Sequence, residues 1–193
     1  MADDDVYDPD VYKAVTHAYK TVGQVRSIVD FVHNHAIVNE FFRQHRDKNQ
    51  TELILDMKVR WNSTHSMIER FLMHQEIIKM IIGTPDRFGR YLKKKQLSKL
   101  RSLLLLNDDW ELINTLYTVL QPFRQATTLL STRTYPTLAM SHYIARAIEH
   151  FLTANEEDSS MTVLIKRSLR TQFIHYFDTS ATQEQKQYAR VCQ

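Results

Sequence analysis

Glycine, proline and cysteine are all scarce in this chain of 193 residues, and each shortage excludes a class of protein. Three glycines and four prolines are too few for the many turns of a β-sandwich or β-barrel. Gly23, Gly83 and Gly89 also have the wrong spacing for either of the common glycine-rich loops that bind nucleotide phosphates. The shortage of glycine and proline therefore predicts an all-α protein of long helices, and with 43% hydrophobic residues the chain can bury a core of its own.

The single cysteine, Cys192, excludes a disulfide framework and a zinc site built from four thiolates. Residues 1–9 are rich in aspartate, which predicts an acidic disordered tail in front of a single helical domain over residues 10–193. No apolar run approaches the roughly 20 residues that span a bilayer, so we expect no membrane partner.

Apolar periodicity and capping residues predict six to seven helices. Asn62 or Ser63 is a candidate N-cap for the second of them, and Asn107 or Asp108 for the fourth. Pro122 is expected to kink or break the fourth helix, because it removes a backbone donor and crowds the preceding turn. The predicted bounds are about 10–45, 62–83, 87–105, 107–130, 136–153, 159–177 and a short helix from 182.

A row of valines and alanines in the first predicted helix recurs at alternating spacings of four and three residues, which is the pattern of a heptad seam. The seam either packs inside its own domain, which is the commoner use of an apolar helix face, or contacts a second chain. The second alternative makes the protein a helical interaction module that self-associates as a homo-oligomer through residues 11–36. The seam consists of Val11, Val15, Ala18, Val22, Val25, Val29, Val32 and Ala36.

The nine histidines form no recognisable catalytic or metal-binding pattern. His33 and His35 are two residues apart on a predicted helix, so they point in different directions, unlike the i,i+4 pair of a zinc-binding His-Glu-x-x-His site. Cys192 has no evident base as a partner. We therefore predict no catalytic residues, no metal site, no cofactor and no small-molecule substrate.

Positive charge is concentrated between Asp86 and Arg101, where seven lysines and arginines accompany one acidic residue. The net charge of +3 is small, so this uneven distribution is the informative feature. A basic stretch of this kind suits contact with a phosphate backbone, and the alternative is a solvated helix face. The residues predicted to contact DNA here are Arg87, Arg90, Lys93, Lys94 and Lys95.

A second candidate contact, Arg60-Trp61, immediately precedes a predicted helix. A cation and a large π-face at a helix N-terminus suit a phosphate with a base stacked beside it. In the alternative interpretation, Trp61 packs over the helix while Arg60 pairs with Asp56. Composition alone favours that structural alternative.

Three ordered motifs resemble one protein family. Residues 56–72, D-M-K-V-R-W-N-S-T-H-S-M-I-E-R-F-L, are similar to the D-x-x-T/S-R-W-N-S-T-x-x-M-L-E-R-L signature of hAT-family transposases and of the BED-type zinc-finger proteins derived from them. Residues 110–127, W-E-L-I-N-T-L-Y-T-V-L-Q-P-F-R-Q-A-T, resemble the family's W…L…L-x-P-F-x-x-A-T segment. Residues 135–138 resemble its Y-P-T-L segment.

The resemblance implies that these residues form the large helical domain that is inserted into an RNase H-like core in such transposases. It implies a nuclear protein that binds DNA, in which Trp61 helps to hold a flipped base. The family's Asp, Asp, Glu metal triad lies outside the inserted helices and has no counterpart among the residues of this chain. We therefore expect a non-catalytic fragment of a hAT-like transposase, or of a domesticated derivative, that binds DNA through the basic helix and the Arg60-Trp61 motif.

Overall fold

The computed structural model describes residues 8–57, 61–131 and 138–180. These ranges contain helices and connecting segments but no β-strand, which confirms the predicted all-α class. In chain order the elements are α1 (Pro9–Asn34), α2 (Ala36–His45), α3 (Trp61–Met73), α4 (Gln75–Gly83), a 3-10 helix (Pro85–Phe88), α5 (Lys94–Ser102), α6 (Asn107–Ser131), α7 (Leu138–Phe151) and α8 (Ser160–Ser180).

The chain divides into two compact units, one made of Met1–His17 with Thr118–Gln193 and the other of Ala18–Tyr117. The prediction of a disordered tail concerns residues that lie mostly outside the described ranges. Asp8, however, caps α1, because its Oδ1 accepts hydrogen bonds from the Asp10 and Val11 amides at 2.9 and 3.4 Å. The short helix predicted from residue 182 also lies outside the described residues.

The core of the Ala18–Tyr117 unit is formed by apolar stripes of α1 to α4 and α6. Each large side chain that is fully buried in this way contributes on the order of 1.5–3 kcal/mol. Val25, Val29 and Val32 of the heptad seam are at most 1% exposed, so this half of the seam packs inside its own chain. Val15, by contrast, is 41% exposed. The burial favours the intramolecular interpretation of the seam over a self-association surface.

The predicted helix over residues 10–45 is wrong in its continuity, because α1 and α2 are separated at His35. The His35 backbone is extended, and its carbonyl accepts hydrogen bonds from the Val38 and Asn39 amides at the start of α2. Its Nδ1 lies 2.8 Å from the Phe31 carbonyl oxygen, and its ring stacks on the Phe31 ring at 3.8 Å. Together these contacts stabilise the end of α1 and the beginning of α2, although the apolar pattern continues through this point.

The helix predicted over residues 62–83 is likewise divided, into α3 and α4 at His74. The His74 side chain is 1% exposed, and its Nε2 lies 2.6 Å from the carbonyl oxygen of Thr51. The His74 ring therefore ties the division between α3 and α4 to the segment that precedes α3. Its buried Nδ1 has no hydrogen-bond partner within the described ranges. The end of α4 at Gly83 agrees with the prediction.

The helix predicted over residues 87–105 is wrong at both ends. The structure has a 3-10 helix that ends at Phe88 and a short α5 that ends at Ser102. Beyond α5 the leucines alternate: Leu103 and Leu105 are buried, whereas Leu104 and Leu106 are 51% and 64% exposed. Burial between α5 and α6 thus alternates with a period of two instead of following the helical period, and no helix covers Leu103 to Leu106.

Pro122 does not break α6, contrary to one of the outcomes expected for it, since the helix runs from Asn107 to Ser131. Proline removes one helical hydrogen bond, but Val119 and Ala126, on either side of it, are both buried. Packing of the turns before and after Pro122 therefore compensates for the lost bond.

In the other unit, α7 and α8 pack on the end of α6 around Ala126, Ile148 and Leu152. Lys166 of α8 is only 4% exposed, and its Nζ donates to both carboxylate oxygens of Asp158 at 2.8 and 3.1 Å. The same ammonium lies 4.7 Å from the centre of the Phe151 ring. The buried cation is thus matched by a carboxylate and an aromatic face.

His74 makes the stability of the fold depend on pH. Burial lowers the pKa of His74 below its ordinary value, with only partial opposition from the hydrogen bond to Thr51. The unfolded chain therefore takes up the proton first as the pH falls below about 6.5, which disfavours folding. Between pH 7.5 and 5.5 this proton uptake costs the native chain up to about 1.4 kcal/mol of unfolding free energy. We expect His74→Gln to abolish this part of the pH dependence, measured by urea unfolding at the two pH values. An unchanged pH dependence in the variant would contradict this assignment.

Candidate nucleic-acid interface

The basic segment lies where the 3-10 helix gives way to α5. Phe88 and Leu92 are 3% and 8% exposed, so they anchor the turn between them in the core. The amides of Tyr91 and Leu92 both donate to the Phe88 carbonyl oxygen at 2.9 Å. This helical turn directs Arg90 and Tyr91 to the surface, where both are exposed.

Three consecutive lysines follow at the beginning of α5. Lys93 is the N-cap residue, Lys94 and Lys95 are the first two helical residues, and all three are exposed. The Lys93 amide donates to Oε1 of Gln96 at 2.8 Å, and the first turn contains no acidic residue. A helix N-terminus carries a partial positive charge, so three ammonium groups at this end disfavour the isolated helix and favour a bound anion.

The other cations of the segment are engaged by neighbouring side chains. Arg101 pairs with Asp86, and the Nζ of Lys99 lies 3.9 Å from a carboxylate oxygen of Asp30. The guanidinium of Arg87 lies 4.6 Å from the centre of the Phe41 ring, a cation–π contact that fixes this exposed side chain.

We call Arg90, Lys93, Lys94 and Lys95 the basic turn. Within the described ranges, no carboxylate lies within the 4.0 Å of an ion pair with any of its members. Sequence reasoning placed Arg87 with this set, whereas the structure separates it, because Arg87 contacts Phe41. It also overlooked Tyr91, although an aromatic residue inside a basic run is a signal that the sequence offers.

Asp56, the first residue of the transposase-like signature, has a structural role. Its side chain is 1% exposed and accepts two hydrogen bonds from Arg26 of α1, from Nε at 2.7 Å and from Nη2 at 2.6 Å. Thr64 of α3 donates a third at 2.7 Å. The Arg26 guanidinium holds the pKa of Asp56 below its ordinary value. Asp56 thus joins α1 to α3. The alternative that pairs it with Arg60 stays untested, because Arg60 lies outside the described residues.

Ser63 of the same signature fastens the segment before α3. Its hydroxyl accepts from the Met57 amide at 2.8 Å and donates to the Met57 carbonyl at 3.0 Å. Since α3 already begins at Trp61, neither Asn62 nor Ser63 is the N-cap that the sequence suggested. Arg60 lies outside the described residues, as does the 135–137 part of the Y-P-T-L segment. The predicted DNA contacts of Arg60 and Trp61 therefore stay predictions.

The second motif contributes to the core. Trp110 of α6 is 8% exposed, and its ring stacks on Phe71 of α3 at 5.5 Å. The Nζ of Lys79 lies 5.4 Å from the centre of the Trp110 ring. This tryptophan has a packing role that explains its place in the motif.

An open groove of about 640 Å³ lies between the beginnings of α1 and α8. Asp158, which lines it, is already paired with Lys166, and Asp10 lies 3.6 Å from Lys13. No group of three or more metal-ligating side chains occurs among the described residues. No helix in those ranges is long and apolar enough to cross a membrane.

The fold and its contacts define an all-α helical domain, in which Asp56 joins α1 to α3 and Trp110 packs on Phe71. The family model of the ZBED1 RNase-like helical domain matches residues 10–119, and the chain belongs to this family. The match confirms the resemblance to hAT-type and BED-type proteins and includes the whole basic turn. No curated protein and no solved structure matches the chain.

Proposed function

We propose that this protein is a non-catalytic, transposase-derived helical domain that binds DNA through the basic turn. The observation that carries the proposal is the set of exposed cations, Arg90 and Lys93 to Lys95, that no described carboxylate neutralises. Nearby cations of the same segment do have partners. Charge left uncompensated at one place on a surface suits a polyanion.

Helix geometry adds to this attraction. The first amides of α5 have no partner inside the helix, and the three lysines lie at this same positive end of the helix dipole. A phosphate placed there receives backbone hydrogen bonds and ammonium charge together. Arg87, held on Phe41, is expected to contribute less than the basic turn. By the family resemblance, Arg60 and Trp61 supply a second contact with DNA.

The absence of catalysis is part of the proposal. Two-metal phosphoryl transfer needs several carboxylates that converge on ions about 3.5–4 Å apart. The most strongly bonded carboxylates of the described ranges, Asp56 and Asp158, are instead each paired with a basic side chain. From the family relation and the proposed DNA binding we infer a nuclear location.

A salt titration of the complete chain with a labelled duplex tests the proposal. If each member of the basic turn neutralises one phosphate, the logarithm of affinity falls with the logarithm of salt concentration with a slope of about −3.6. Affinity then drops roughly 150-fold between 50 and 200 mM salt. Absence of binding at 50 mM, or binding that does not respond to salt, would overturn the proposal.

A further inference from the structure

Tyr91 is an exposed aromatic residue that lies in sequence between Arg90 and Lys93 of the basic turn. Its side chain is 68% exposed, although large aromatic residues dominate cores when they can be buried. In the described ranges its ring has no aromatic or cationic partner. Packing therefore does not account for a tyrosine at this position.

The backbone that carries Tyr91 is held in place. Its amide donates to the Phe88 carbonyl oxygen, and the buried Phe88 and Leu92 fix the turn on both sides. A ring on such a turn loses little backbone freedom when it binds a ligand, so little of the binding free energy is lost to ordering the chain. Arg90 and Lys93, which flank it in sequence, are cations without a carboxylate partner among the described residues.

Tyr143 of α7 provides the contrast. It is 76% exposed, and the cation three residues further along the same helix, Arg146, pairs with Glu149 at 3.1 Å. Exposure of a tyrosine is therefore not unusual in this protein. Tyr91 differs from Tyr143 because the cations beside it, Arg90 and Lys93, have no carboxylate partner among the described residues.

We propose that Tyr91 stacks on an unpaired base while the basic turn holds the adjoining phosphates, so that this site prefers single-stranded DNA to duplex. The inference rests on the proposed function and adds the class of nucleic acid to it. Base faces are covered by their neighbours in a duplex and become accessible in a single strand. Aromatic stacking of this kind tolerates any base, because every base has a π-face.

Titrations of the complete chain with a labelled oligothymidylate of about 12 nucleotides, within the range of site sizes for single-strand binders, test the inference. We expect Tyr91→Ser to weaken single-strand affinity roughly 5- to 150-fold, the range that the loss of one stacked base gives. Duplex affinity should fall less than about twofold. Tyr91→Phe, which keeps the π-face, should retain affinity. Tyr143→Ser, the matched control, should leave both affinities unchanged.

Equal thermal unfolding of the variants and the native chain excludes a folding defect. Equal losses for Tyr91→Ser and Tyr143→Ser, or no loss for either, would overturn the role of Tyr91 while leaving the basic turn as a duplex-binding site. A native chain that binds neither probe would instead overturn the proposed function itself.

Discussion

Replacement of Lys93, Lys94 and Lys95 with glutamine should weaken duplex binding by roughly 500-fold at 0.1 M salt, if each lysine neutralises one phosphate. The slope of log affinity against log salt should become shallower by about 2.7 for the same reason. The variant should also be as stable as the native chain or slightly more so, since it removes positive charge from the positive end of α5. Fluorescence anisotropy and urea unfolding measure the two effects separately.

The matched control removes the same charge elsewhere. Lys13, Lys20 and Lys48 are exposed, and their replacement with glutamine leaves the basic turn intact. This control should lower affinity far less than the change at residues 93–95. Equal losses for the two triple variants would mean that net charge alone attracts DNA, and the assignment of a local site would then be wrong.

Arg26→Met should have the largest effect on stability, a loss of about 3 kcal/mol in the free energy of unfolding. The change leaves the Asp56 carboxylate, which is 1% exposed, with Thr64 as its remaining side-chain partner. Arg101→Met is the control: its partner Asp86 is 78% exposed, so the loss should be below about 1 kcal/mol. Chemical denaturation of both variants at pH 7 gives the comparison.

The pH dependence of this loss provides an independent check. The Arg26 guanidinium lowers the folded-state pKa of Asp56 below the ordinary 3.8, so the pair stabilises the fold above that pH and loses its effect as the pH falls through the folded value. The difference between native chain and Arg26→Met should therefore shrink in acid. A loss that is small at pH 7, or constant down to acid pH, would show that Asp56 does not depend on Arg26.

Local patterns predicted the parts of the fold that depend on local causes. The scarcity of glycine and proline and the apolar periodicity indicate an all-α chain, and Gly83 marks the end of α4. The division at His74 was not predictable, because it depends on a bond between its ring and the Thr51 carbonyl, a partner that periodicity does not reveal. The pair of Arg26 with Asp56 likewise joins residues 30 positions apart.

The candidate interface shows the same division between local and tertiary causes. The sequence located the basic segment, but it gave Arg87 the same weight as Arg90 and Lys93 to Lys95. Only the positions of Asp86, Asp30 and Phe41 show that Arg101, Lys99 and Arg87 are engaged. Asp30 and Phe41 belong to other helices, and Asp86 lies at the opposite end of the segment from Arg101. Within the described residues, the cations of the basic turn are the ones left without a carboxylate partner.

Lysine footprinting of the native chain tests the DNA-binding account most directly. The chain is acetylated briefly with and without saturating DNA, and the modification of each lysine is measured by mass spectrometry. The account predicts that DNA protects Lys93, Lys94 and Lys95, while Lys13 and Lys48 are modified equally in both samples. DNA that binds without protecting residues 93–95, or that protects all lysines alike, would contradict it.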